Sequence, residues 1–205
     1  MTVLTQKDQE AISATIADVE SKTAGEVVVA VVGQSDDYAA IRYTTAALLT
    51  VASALFLRHA PIAWVSELLI PLQIPIFFLW LQVTKVPALT RFLAKNASPE
   101  RVRERAMRMF IERSIHNTRD QSGLLLMLSE VEQQVVILGD AGIHEKIGDP
   151  GWEAYVDRIV KGFKSGQAAS AIVEILQELG DTLATHFPPR DDDTNELSNE
   201  VVVQP

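Results

Sequence analysis

The sequence predicts a compact α/β sandwich interrupted by a two-helix transmembrane hairpin. Three observations predict it. Apolar runs of the kind found in buried strands lie on both sides of a long uncharged middle, helical apolar stripes flank those runs, and a basic block follows directly on the middle. The 205 residues suffice for one ordinary domain with a sizeable core, or a small domain plus another element.

The N-terminal stretch MTVLTQKDQEAISATIADVE has no apolar h-region, so no signal peptide is expected there. Thr5 followed by Asp8 resembles a capping box, and Ile12, Ile16 and Val19 repeat at helical spacing with Gly25 closing the helix after Lys22. EVVVAVV (Glu26–Val32) is then a continuous, largely β-branched run, as in a strand buried on both faces. One helix and one strand cannot fold alone, so partners must come from later in the chain.

The uncharged middle follows. Tyr43 to Leu57 is fifteen residues without a charge, Arg58–His59–Ala60–Pro61 is a polar break, and Ile62 to Val83 is apolar apart from Glu67, Gln73 and Gln82. A single membrane span needs about 20 residues. The second segment has that length, and the first reaches it if the helix starts near Ala39 and Arg42 extends to the headgroups. Pro71 and Pro75 are tolerated in a membrane helix, Glu67 lies near the turn, and Trp64 and Trp80 fall where interfacial aromatic anchors sit. Lys85, Arg91, Lys95, Arg101, Arg103, Arg105 and Arg108 after the second span outweigh Arg58 and His59 in the turn. The positive-inside rule therefore predicts two spans in the cell (inner) membrane with both chain ends cytoplasmic.

Beyond the connector, GLLLMLS (Gly123–Ser129) and QQVVILG (Gln133–Gly139) read as two strands joined by a short turn at Glu130–Glu132. Val156, Ile159, Val160 and Phe163 form one helical stripe, and Ile172, Leu176, Leu179 and Leu183 another. If Val27–Val32 pairs with either later strand, both halves lie on one side of the membrane and the insertion crosses it an even number of times. Two is the smallest such number. In the connector, Ser98–Pro99–Glu100 starts a helix whose Val102, Ala106, Met109 and Phe110 share a face. Its arginines suit either an anionic lipid surface or solvent. The expected organisation is a first part of the sandwich at 1–40, the hairpin at 41–83, a basic juxtamembrane connector at 84–119, the second part at 120–187, and an extended acidic tail at 188–205.

At HNTRDQSGLLLMLSEVEQQVVILGDAGI (His116–Ile143) the sequence resembles the TPM domain family. The features that carry the resemblance are Gly25–Glu26–Val27 before the first strand, Asp120 before Gly123, the Gly-containing loop Gly139–Ile143, and Gly162–Gly166 between two helices. The closing His186–Phe187–Pro188 and Asn195–Leu197 resemble a branch of uncharacterised bacterial membrane proteins with this domain. The resemblance, which spans about residues 5–40 and 110–200, implies a TPM-like sandwich. It also points to relatives described as weak acid phosphatases or calcium-binding modules, and to others without known activity. Where the family commonly places an acidic residue after the loop, this chain has His144, with Glu145 next.

Asp120, Asp140 and Asp149 stand at strand or loop ends and are the candidate metal ligands, for calcium or another divalent cation. The alternative is that they cap turns and helices. His116 and His144 flank the strand pair and allow a mixed His/Asp transition-metal site. No residue is assigned a catalytic or cofactor-binding role: there is no HExxH, glycine-rich phosphate loop or G-x-S-x-G elbow, and Ser165 between helices reads as a cap. The absence of cysteine excludes disulfides and thiolate chemistry, and the net charge of −9 argues against nucleic-acid binding. The first reading of function is a membrane-anchored cytoplasmic interaction or regulatory module, holding another membrane protein at the bilayer. A weak metal-dependent phosphatase using Asp140 is the alternative. A small pore or transporter component is the third.

Overall fold

The computed structural model describes residues 4–59, 65–96, 98–147, 149–190, 192 and 195–204; side chains at 65–67, 147 and 149–151 are outside that description. The expectations for Trp64, for Glu67 and for Asp149 as a ligand therefore lie outside the described residues. The chain divides into two compact units, residues 1–35 with 99–205, and residues 36–98.

In the first unit, α1 (Gln6–Glu20) opens on the expected capping box. Thr5 Oγ1 accepts the Asp8 N–H at 3.2 Å, and the Asp8 carboxylate accepts the Thr5 N–H at 2.9 Å. Strands β1 (Glu26–Val32), β2 (Gly123–Ser129) and β3 (Gln134–Gly139) follow the apolar runs, and a short β4 (Val202–Gln204) completes a sheet of order β3-β2-β1-β4. β1 and β2 run parallel over seven pairs from Glu26↔Gly123 to Val32↔Ser129. β3 returns antiparallel to β2, and β4 lies parallel to β1 at Ala30↔Val202 to Val32↔Gln204.

Both faces of this sheet are covered, which is why its central strands read as unbroken apolar runs. Side chains alternate by strand geometry. Val27, Val29, Val31, Leu124, Leu126 and Leu128 join one core with α1, α7 (Asp149–Lys164) and α8 (Ala168–His186). Val28, Ala30, Val32, Leu125 and Met127 join the other with α5 (Ser98–Glu112) and the 3-10 turn Ile115–Asn117. The face expected on α5 is the buried one, with Val102, Ala106 and Met109 fully covered and Phe110 nearly so.

Two details differ from the sequence reading. The Gly-containing loop after β3 is the first turn of a helix, α6 (Ala141–Ile147). Asp140 starts it: its Oδ1 accepts the Ala141 N–H at 2.7 Å and its carbonyl accepts the N–H groups of Ile143 and His144, each at 3.0 Å. Gly142 serves a close approach there, since a Cβ would stand 2.8 Å from the Gln121 carbonyl oxygen. The second difference is the tail. Its acidic composition suggests a solvated extension, yet Leu197 and Val202 pack into one core, Val201 into the other, and β4 closes the sheet edge.

The second unit contains α2 (Ala39–Arg58), α3 (Val65–Val83) and α4 (Pro87–Leu93). Trp80 Nε1 donates to Ser53 Oγ at 2.9 Å between α3 and α2. Thr50, Ser53 and Gln73 each donate to the carbonyl four residues back, at 2.7, 2.8 and 2.9 Å. Among the described residues one helix, α2, is long and apolar enough to cross a membrane. Leu68–Val83 and α4 meet that test as a pair, bent by 91° at the break between them.

Gly123 sets the tightest contact in the sheet, because a Cβ there would fall 2.0 Å from the Ile115 carbonyl oxygen. Backbone cannot yield as a side chain does, so Gly123→Ala is expected to cost about 2–3 kcal/mol, at the upper end of overpacking effects. Gly180→Ala meets only the Val19 side chain at 2.8 Å and should cost less. Denaturant unfolding of the two variants beside wild type gives the ranking.

Candidate functional site

A polar pocket of about 340 Å³ opens where the end of α1 meets the start of β1 and the C-terminal segment. Glu20, Thr23, Glu26, Arg190, Asn195 and Asn199 line it. Local folding puts them there. Glu20 is the last residue of α1, one turn beyond the buried Ile16, so it falls on the inward face. Thr23 Oγ1 donates to the Phe187 carbonyl at 2.7 Å and Ala24 N–H donates to the same oxygen at 2.9 Å, tying the entry of β1 to the end of α8. Ser122 Oγ donates to the Ala24 carbonyl at 2.7 Å, and its own carbonyl accepts the Glu26 N–H at 3.1 Å.

The two glutamates have different tasks. Glu26, 7% exposed, turns its carboxylate to the tail, where Oε1 accepts the Glu196 N–H at 3.1 Å and Oε2 the Leu197 N–H at 3.2 Å. Glu20 Oε1 accepts the Val27 N–H at 2.9 Å, a donor on the outer edge of β1, while its Oε2 is buried without a hydrogen-bond partner among the described residues. Burial pushes the Glu20 carboxyl up to about 7, against the pull of the Val27 N–H; the Glu26 carboxylate raises it further and Asn199 opposes. The pocket thus holds a carboxyl able to gain or lose a proton near neutrality, next to a carboxylate and a guanidinium.

The sequence candidates are placed as follows. Asp120 is held in an ion pair by Arg190, at the rim of this pocket. Arg119 donates its N–H to Glu196 Oε2 at 3.2 Å and pairs with Asp192 at 2.9 Å. Asp140 caps α6, with its N–H donated to the Gly123 carbonyl at 2.8 Å. Gly142, two residues on, packs against the Asp120–Gln121 backbone, so Asp120 and Asp140 stand at the same end of the sheet. Among the described residues no three His, Cys, Asp or Glu side chains form a group able to hold a metal ion. His116 and His144 are both exposed, with His116 against Phe110 at a ring separation of 6.4 Å.

Glu20, Arg190 and Asn199 carry no motif. The spacing Ile12, Ile16, Glu20 was the available signal, since a glutamate at the next step of a buried stripe is held inward by the helix period.

A carboxyl raised in the fold to about 7 from its ordinary 4.5 favours folding while protonated. Its contribution is complete below about pH 4.5, falls as pH rises, and is gone above about 7. Glu20→Gln keeps the shape without the titration. The expected result is a gap in melting temperature that opens in favour of the variant between those pH values, measured on both proteins across the range.

Residues 87–182 match the model of the TPM domain, a stretch running from α4 to near the end of α8. The pocket residues Glu20, Glu26, Arg190 and Asn199 lie outside it. The NMR structure of the BA42 protein from the psychrophilic bacterium Bizionia argentinensis matches with a TM-score of 0.60 and 22% sequence identity, covering 98% of this chain and 94% of that one. At that identity the likeness is one of fold. Comparison with curated protein sequences gives no match. The stretch matched at residues 87–182 contains His116–Ile143, and the match is to the family that the sequence resembles there.

Proposed function

We propose that this chain is a membrane-anchored TPM-domain protein. In this reading α2 and α3 lie as a hairpin in the cell membrane, both chain ends face the cytoplasm, and the sandwich serves as an interaction or regulatory module for another membrane protein. One observation carries the anchoring. Leu48, Val51, Leu55 and Phe56 on α2, with Ile70, Ile74, Phe78 and Leu79 on α3, are all exposed, Ile70 to 84%. Moving such side chains from water to hydrocarbon gains on the order of 10 kcal/mol for the set.

Three further features support the reading. The hydroxyls of Thr50 and Ser53 and the indole N–H of Trp80 are satisfied within the helix pair, as a membrane requires. Lys85, Arg91 and Lys95 follow the second helix, against Arg58 and His59 after the first. The pairing of β1 with β2 returns the chain to its starting side, which a two-helix insertion allows. Functionally, the polar pocket at Glu20 and Glu26 is the surface that the module would present.

An alkaline carbonate wash of membranes from expressing cells tests the anchoring. The full chain is expected to stay in the pellet. Leu48→Arg with Ile74→Arg places a charge near the middle of each helix, at about 2.5–3.5 kcal/mol apiece, and is expected to shift the protein out of the pellet. Release of the unsubstituted chain by the wash would refute the reading.

A further inference from the structure

The outer edge of β1 is closed by side chain and strand together. At its start the Val27 N–H donates to Glu20, and at its end the Gly33 N–H donates to the Gln204 carbonyl at 2.8 Å. Between them Ala30–Val32 pair with Val202–Gln204, and beside the strand Glu26 takes the N–H groups of Glu196 and Leu197. Arg105 reaches the Gln204 side chain. Most of this grip reads backbone, with Leu197, Val201 and Val202 as the apolar anchors. Any extended copy of residues 195–204 running in the same direction satisfies it, whichever molecule supplies it.

We propose that the β1 edge and the Glu26 carboxylate form a strand-docking site whose occupant exchanges between copies, residues 195–204 of a second molecule replacing the chain's own. Three observations favour this occupant. The site is already fitted to this sequence, so exchange creates every contact it breaks and only the path of the connection changes. β4 is three residues long with Val203 39% exposed, which makes it the most weakly held element of the sheet. Residues 188–194 join α8 to the exchanged segment with no helix or strand among those described, and seven residues reach up to about 23 Å when extended. The docking is parallel addition of a strand at a sheet edge, a recognised mode of peptide capture. It does not depend on the membrane reading.

The chain has no cysteine, so introduced pairs report without background from native thiols. Val31 and Val203 are register partners across the β1–β4 pair, at a strand spacing of about 4.8 Å that a disulfide can bridge. The doubly substituted chain, Val31→Cys with Val203→Cys, is expected to close. The test mixes a Val31→Cys copy with a size-tagged Val203→Cys copy, incubates, and oxidises. The proposal predicts a mixed disulfide dimer several-fold above the dimer that Val203→Cys copies form with themselves. Val32→Cys with Gln204→Cys repeats the test one register step on, should Val31→Cys disturb the core. A double variant that closes while the mixture yields no dimer above background overturns the proposal. If neither pair closes, within one chain or between two, β4 does not sit on β1 and the proposal falls with it.

Discussion

Everything in this molecule turns on the parallel pairing of Glu26–Val32 with Gly123–Ser129. Parallel strands cannot be joined by a tight turn; the connection must leave the sheet and come back. Here the connection comprises the whole second unit together with α5. The cost of closing so long a loop grows only slowly with its length, so a large insertion is thermodynamically tolerable once the strands bury enough on both faces. They do: all seven positions of each strand are buried, and the alternating side chains feed two separate cores. The same pairing fixes an even number of crossings for the inserted segment, if it enters a bilayer.

A second constraint sits at the entry of β1, where the sheet meets α1, α8 and the C-terminal segment. Glu26 is buried, and a buried carboxylate must be compensated by donors. The compensation comes from backbone N–H groups of Glu196 and Leu197, which are thereby fixed in place. Charge-assisted bonds of this kind contribute roughly 1.5–3 kcal/mol each. The acidic segment that composition describes as solvated is thus drawn onto the domain by one glutamate, and its last apolar residues find the open strand edge. Beside it, the half-buried Glu20 accepts the Val27 N–H, and burial raises its proton affinity. Two carboxyls a few residues apart in sequence are given different partners by the fold, two tail N–H groups for Glu26 and the Val27 N–H for Glu20.

How far the sequence revealed this depended on the range of the interaction. The three long strands, the capped first helix and the buried face of α5 were legible from local periodicity, because each follows from a repeat of two or of 3.6 residues. The family resemblance at His116–Ile143 was legible for the same reason, as a run of consecutive features, and the family match covers that run. The helix at Ala141 was hidden because Gly139 and Gly142 suggest a loop, whereas Gly142 answers a contact with Gln121 twenty-one residues earlier. The place of the tail was hidden more deeply. Nothing near Glu196 announces that a carboxylate at position 26 awaits its N–H, and VVV in an acidic context gives little hint of a fourth strand. Asp120, Asp140 and Asp149 were selected by their positions at element ends. Such positions recruit aspartate for capping and ion pairing as readily as for metals, and Asp140 on α6 and Asp120 on Arg190 show those two uses.

The central claim is that the inserted unit crosses the bilayer and returns, leaving both halves of the sandwich on one side. Labelling of single cysteines with a membrane-impermeant maleimide in sealed, oriented vesicles tests it most directly, since the chain has no cysteine of its own. Lys22→Cys reports the first half of the sandwich, Ser165→Cys the second, and His59→Cys the turn after α2. The account predicts that Lys22→Cys and Ser165→Cys label from the same side and His59→Cys only from the other. Labelling of all three from one side, or of Lys22→Cys and Ser165→Cys from opposite sides, would contradict it.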